Sequence, residues 1–385
     1  MVRGKPLVTA NQVTSIRLAL LPFGCWLLYQ GTLGQWVALF FMTLVGCTDF
    51  VDGWLARRYG PTVLGGLMDP IADKLFIVVV FLPYIDLGWL PPWLVALLFL
   101  REFLVTGLRS AYERRGLKLQ STLLAQIKTW VQMGGAGVLF LLNAAPRRTL
   151  MGLLVAGVMG PFVMIAVRYL LRRYFWWKSL VFSAWFLGVL LAYLFWGPAV
   201  ASTLLMLSML AVTWISAWSY LAQTSQLLTG RSVGNQPTVA PLDRSDLVRI
   251  LGAIAVPVAI VVAQAQRSLP SAALIIALAA EMAVGGLDNL LSHHGAQASA
   301  LAWGMRAGTV ALLSLLAALT SSAKAPLSAA GPLLALAAAS VSLVGSAIEF
   351  FRGRHHYLDA RLKAERLQVT RSHPPSTSGG RGSAL

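Results

Sequence analysis

Residues 35–85 read QWVALFFMTLVGCTDFVDGWLARRYGPTVLGGLMDPIADKLFIVVVFLPYI. The stretch holds two apolar runs, each close to the roughly 20 residues that cross a bilayer as a helix. Where the runs meet it carries Asp49, Asp52, Asp69 and Asp73. The whole chain of 385 residues has only 14 acidic side chains, so four in this short window form a cluster rather than a background.

Outward from this window the apolar runs recur, about twelve of them between residues 12 and 350, each of bilayer-crossing length. Hydrophobic residues make up 57% of the chain and charged residues 12%, a balance that no water-soluble core of this size has. The expected fold is all-α, a polytopic membrane helical bundle of about twelve transmembrane helices. The first run contains Arg17 and is followed by no small-residue cleavage site, so it reads as a retained helix rather than a secretory signal. Cys25 and Cys47 lie inside apolar runs, which leaves neither a disulfide framework nor a CxxC metal site.

The net charge of +17 is placed as membrane topology requires, so it implies lipid headgroups and no nucleic acid. Arg3 with Lys5, Arg57 with Arg58, Arg114 to Lys118, Arg168 to Lys178 and Arg231 to Arg249 fall on one side, which the positive-inside rule makes cytoplasmic. Both termini then face the cytoplasm, and the pair Arg147 and Arg148 falls on the opposite side. Residues 231–246 are polar and read as a cytoplasmic linker. They separate a first membrane domain, residues 1–230, from a second with four helices, residues 247–350. A basic tail, 351–385, ends in a disordered stretch. The small residues of the second domain suit close packing, within the chain or against a second copy in a homodimer.

An ionised carboxylate in a low-dielectric setting costs several kcal/mol unless it is paired or binds a cation. On a helix Asp49, Asp52, Gly53 and Ala56 share one face, and Gly65, Asp69 and Asp73 form a stripe on the next. Two antiparallel helices would bring the four carboxylates together. Hard oxygen donors in this number suit Mg²⁺, Mn²⁺ or Ca²⁺, and two such ions suit phosphoryl chemistry. Gly53 and Ala56 leave room for a ligand, Arg57 is one turn on to hold a phosphate, and Pro70 is expected to start or kink the third helix. All five histidines lie at residue 293 or beyond, so general-base work falls to a carboxylate, with Asp73 the candidate.

DFVDGWLAR (49–57) followed by GGLMDPIAD (65–73) resembles the signature of the CDP-alcohol phosphotransferases, DxxDGxxAR then GxxxDxxxD. Asp49, Asp52, Gly53, Ala56, Arg57, Gly65, Asp69 and Asp73 match it, with a spacer one residue shorter than the family pattern. The resemblance implies that the four aspartates hold two divalent ions, Mg²⁺ or Mn²⁺, against the diphosphate of a CDP-activated lipid. It implies also that Asp73 takes a proton from the acceptor hydroxyl. Asn11, Thr14, Asp52, Gly53, Ala56, Arg57 and Gly65 would line the CDP-lipid site.

LREFLVTGLRSAYERRG (100–116) and IKTWVQM (127–133) resemble the REx6R and KTxxQM segments of the bacterial phosphatidylglycerophosphate synthases within that family. ANQVTSIR (10–17) resembles their PNxLTxxR, with Ala10 in place of proline. That branch acts at the cytoplasmic side of the bacterial inner membrane on CDP-diacylglycerol and glycerol 3-phosphate. Arg101 and Arg109, about two turns apart on one helix face, and Lys128 would form a basic pocket for the acceptor's phosphate. Inositol phosphate would suit the same pocket, and phosphatidylglycerol or an amino alcohol is a further alternative. VTWISAWSYL (212–221) resembles the last helix of those synthases, which makes residues 149–196 an inserted helix pair; a core ending at Arg173 is the alternative. A twelve-helix transporter is the rival of another class, but the second half holds no counterpart of DFVDG.

Overall fold

The computed structural model describes residues 9–60, 63–113, 123–172 and 179–229, together with scattered positions between 242 and 354. Seven helical elements follow one another: α1 (Ala10–Leu27), α2 (Gly31–Tyr59), α3 (Val63–Asp86), α4 (Pro92–Glu113), α5 (Leu123–Ala144), α6 (Arg147–Arg172) and α7 (Ser179–Thr229). The all-α expectation holds for the described residues. Most of the last four predicted spans lie outside them, as do most of the linker and the tail.

Among the described residues, three helices are long and apolar enough to cross a membrane: Gly31–Tyr59, Arg147–Leu171 and Leu180–Ala222. Their outer faces carry bare apolar side chains, among them Leu170, Leu171, Phe195 and Trp218, which in water would be an aggregation surface and in lipid are solvated. Trp54 and Tyr59 lie exposed near the end of α2, with the Arg58 guanidinium 5.1 and 5.8 Å from their ring centres. Aromatic rings and a cation at a helix end are the composition that headgroup level favours.

Local chemistry sets the helix ends. Thr9 caps α1: its Oγ1 accepts from the Gln12 backbone N–H while Gln12 Oε1 accepts from the Thr9 N–H, a reciprocal capping box. Gly60, with φ +95°, stops α2 in a conformation that side chains resist. The expectation that Pro70 starts α3 is corrected, because α3 begins at Val63 and runs through Pro70. Proline at this eighth position leaves one intrahelical bond unmade, and the helix continues through it.

α7 is two helices joined at a single residue. Gly197 has φ +83° and ψ −178°, and Pro198 follows it. The indole Nε1 of Trp185 donates to Ser208 Oγ at 2.9 Å, although 23 residues separate them. In one straight helix that separation would span roughly 35 Å, so the two arms, residues 179–196 and 198–229, fold back on each other as an antiparallel hairpin. The predicted pair of spans around FWGP is therefore present.

The second arm runs antiparallel to α5. Asn143 Nδ2 donates to Ser202 Oγ at 2.9 Å, and Gln132 Nε2 approaches Thr213 Oγ1 at 3.4 Å, so positions 11 apart on one helix meet positions 11 apart on the other in reverse order. Gly135 lies between these contacts, where a Cβ would stand 2.3 Å from Met209 Sδ. α6 lies against the first arm, with Ser183 Oγ donating to Val158 O at 2.8 Å. One apolar core runs through all seven helices and takes in Val261, Leu274 and Leu278 of the C-terminal half. Cys25 is buried in that core, whereas Cys47 is exposed on α2.

Candidate active site

The four aspartates meet as their spacing predicts, at the end of α2 and the start of α3, and they meet around α1. Arg17, 3% exposed, donates from Nη1 to Asp49 Oδ1 at 2.5 Å and from Nη2 to Asp73 Oδ1 at 3.3 Å. Its Nη2 also pairs with Asp52 Oδ2 at 3.8 Å. One turn earlier Thr14 Oγ1 lies 3.2 Å from Asp52 Oδ2 and 3.1 Å from Asp69 Oδ1. A hydroxyl has one hydrogen, so Thr14 shares it among the two acids and the Ala10 carbonyl, 3.1 Å away.

Exposure differs sharply among the acids. Asp49 and Asp73 are 43% and 57% exposed, whereas Asp52 is 5%. The cluster is thus a recess with Asp52 at its floor and two open carboxylates at its rim. Among the described residues no three acid, His or Cys side chains are close enough to share an ion in this arrangement. The donor chemistry nonetheless fits a hard divalent cation: three carboxylates from two helices converge on Arg17, Asp69 joins them through Thr14, and one oxygen of each is engaged by α1.

The space over Gly53 is taken by a neighbouring side chain. A Cβ there would lie 3.4 Å from Nη1 of Arg57, so the guanidinium of Arg57 folds back across Gly53 beside the acids. Gly65 is buried on α3 below Asp69, and Asn11 is half-buried one turn before Thr14. The side chain of Ala56 lies outside the described residues. Thr14 is fully buried and faces the acids.

The predicted acceptor pocket has a different build from the one its spacing suggested. Arg101 is 3% exposed, and its three nitrogens have partners within the protein: Nε donates to Thr213 O at 2.8 Å, Nη2 to Ser216 Oγ at 2.6 Å and Nη1 to Glu102 Oε1 at 3.2 Å. Lys128 donates to both oxygens of Glu102, and Gln132 Nε2 donates to Oε1 at 3.0 Å. Arg109 lies exposed two turns along α4. Glu102 is therefore the hub of a buried network joining α4, α5 and the second arm of α7. Reading Arg101 and Arg109 as one phosphate clamp missed Glu102, Gln132, Thr213 and Ser216. The REx6R and KTxxQM segments contained two of these and VTWISAWSYL the other two, but nothing local tied the segments to one another.

The sequence profile of the CDP-alcohol phosphatidyltransferase family matches residues 7–167. The chain is 35% identical over 137 residues to a CDP-diacylglycerol–glycerol-3-phosphate 3-phosphatidyltransferase of Cereibacter sphaeroides, an overlap of 34% of this chain and 62% of the relative. It is 36% identical over 101 residues to the protein of the same name from Bacillus subtilis, covering 26% of this chain and 52% of the relative. It is 33% identical over 168 residues, 42% of this chain and 80% of the relative, to a protein of Mycobacterium tuberculosis named probable phosphatidylglycerophosphate synthase. The chain thus spans only about half to three-fifths of the first two relatives. No solved structure matches it. With eight signature positions in place, the four aspartates gathered in one recess and a relative aligned over four-fifths of its length, the chain belongs to the CDP-alcohol phosphatidyltransferase family.

Proposed function

We propose that the chain transfers a phosphatidyl group from CDP-diacylglycerol to a hydroxyl of glycerol 3-phosphate and releases CMP. The observation that carries this reading is the recess of four aspartates gathered on Arg17 and Thr14, with the Arg57 guanidinium folded across Gly53. The names of the relatives agree with it.

Asp49, Asp52, Asp69 and Asp73 would hold two divalent ions, Mg²⁺ or Mn²⁺, which when bound neutralise diphosphate charge and make CMP a better leaving group. The residues of this chain do the rest. Asn11, Gly53, Ala56, Arg57 and Gly65 line the CDP moiety, and Thr14 acts on it through Asp52 and Asp69. Asp73, the most exposed acid at the rim, takes the proton of the acceptor hydroxyl. That oxygen bonds to the phosphatidyl phosphorus, the bond from this phosphorus to the bridging oxygen breaks, and the bridging oxygen leaves with CMP.

Lys128 and Arg109 receive the acceptor's phosphate, while Arg101 and Glu102 fix the floor beneath them. The catalytic domain extends through the second arm of α7, to about residue 230, with α6 and the first arm as an added pair. The four-helix domain at 247–350 and the tail at 351–385 follow it. The recess faces the cytoplasm at a bacterial inner membrane.

Purified protein supplied with Mg²⁺ or Mn²⁺, CDP-diacylglycerol and one acceptor at a time tests this. CMP release is expected with glycerol 3-phosphate and not with serine. Release with inositol phosphate or phosphatidylglycerol alone would move the acceptor assignment, and no release with any acceptor would overturn the transferase reading.

A further inference from the structure

We infer that Arg17 and Thr14 form a clamp that sets the register of the four carboxylates, and that Arg17 is a positioning residue for divalent-cation binding. The inference deepens the proposed function and rests on its divalent-cation reading.

Each of the two α1 side chains bridges α2 and α3. Arg17 hydrogen-bonds Asp49 and Asp73 and pairs at longer range with Asp52; Thr14 hydrogen-bonds Asp52 and Asp69. The outer pair and the inner pair therefore each have one partner on α1, and the partners lie three residues apart, on one helix face. Fixing both pairs fixes how far α2 is displaced along α3. Nothing in the spacing of either helix alone does that.

The clamp uses one oxygen of each acid. Contacts fall on Oδ1 of Asp49, Asp69 and Asp73 and on Oδ2 of Asp52; among the described residues the second oxygen makes no hydrogen bond or ion pair. Arg17 approaches from the protein side, being 3% exposed where Asp49 and Asp73 are 43% and 57% exposed. The guanidinium thus backs the carboxylates and leaves their open faces to a ligand. Its Nε is buried with no hydrogen-bond partner, so attraction to the acids, and no set of neutral hydrogen bonds, holds the side chain in place. A cation behind a cluster of acids also limits their mutual repulsion when the recess is empty.

Mn²⁺ binding to the purified full-length chain, followed by the electron paramagnetic resonance signal of free Mn²⁺ without any substrate, separates this role from catalysis. Arg17→Gln is expected to weaken Mn²⁺ binding by about tenfold or more, as loss of a residue that orients metal ligands does. Arg17→Lys, which keeps the charge but not the fork, should recover part of that loss. Tighter binding in Arg17→Gln would mean that the guanidinium merely takes an ion's place, and unchanged binding would mean that the register does not depend on α1; either overturns the clamp. If Arg17→Gln does not fold, Thr14→Val decides. It removes one hydroxyl and no charge, and should weaken binding by about threefold, whereas unaltered affinity overturns the inference. Failure of the unaltered protein to bind Mn²⁺ would instead overturn the divalent-cation reading on which the clamp rests.

Discussion

Lys128 Nζ lies 2.8 Å from one oxygen of Glu102 and 2.7 Å from the other, so the lysine is held by a carboxylate that is itself buried and tied to a third helix through Arg101. A lysine alone is a flexible point charge on a four-carbon stem. Braced in this way it stands at one place.

Glu102→Gln should therefore act on the acceptor more than on the lipid donor. The substitution keeps the shape but removes the charge that Lys128 and Arg101 face. The expected result is a rise of about tenfold in KM for glycerol 3-phosphate, with KM for CDP-diacylglycerol within about twofold of normal. Equal rises in both would place Glu102 in general stability rather than acceptor recognition. Glu102→Ala goes further: it strands two buried cations, and a loss of about 3–5 kcal/mol in unfolding free energy is expected in detergent.

Asp73→Asn should abolish turnover while leaving binding of the CDP lipid largely in place. Asn cannot accept the acceptor's proton as a carboxylate does, yet it keeps a ligating oxygen. CMP release and equilibrium binding of CDP-diacylglycerol, measured on the same sample, check this. A variant with near-normal rate would remove Asp73 from the role of base.

Gly197→Ala should destabilise the protein without touching the site. At φ +83° and ψ −178° a Cβ is strained whatever the space around it, and here no atom lies within 4 Å of the added carbon. The cost should be about 1–3 kcal/mol, read as a lower thermal midpoint in detergent with unchanged KM values in the material that stays folded. A loss of activity out of proportion to folded protein would show that the hairpin bears on catalysis.

The aspartates were legible because i, i+3 and i, i+4 spacing is a local property, and the antiparallel order of α2 and α3 follows from two apolar runs joined by a short turn. Arg17 was visible as a lone charge within an apolar run and as the last position of ANQVTSIR, but its partners were not. Its contacts with Asp49 and Asp73 span 32 and 56 residues and depend on how α1 crosses both helices. Glu102 stood between two arginines and was passed over, since what makes it central is Ser216 and Thr213, more than 100 residues on, through Arg101. Pro70 misled for the opposite reason: a strong local rule about helix starts met a helix that begins seven residues earlier.

The turn at Gly197 has a topological consequence. α6 and the first arm of α7 make an even number of traverses between α5 and the second arm, so the second arm has the heading of a helix that followed α5 directly. Parity alone then spares the rest of the chain. An excursion of one helix would invert every later segment and set the hydroxyl of Ser216 and the carbonyl of Thr213 at the wrong depth for Arg101. An excursion of two inverts nothing, which is how a bundle can grow sideways while its reactive layer keeps its level.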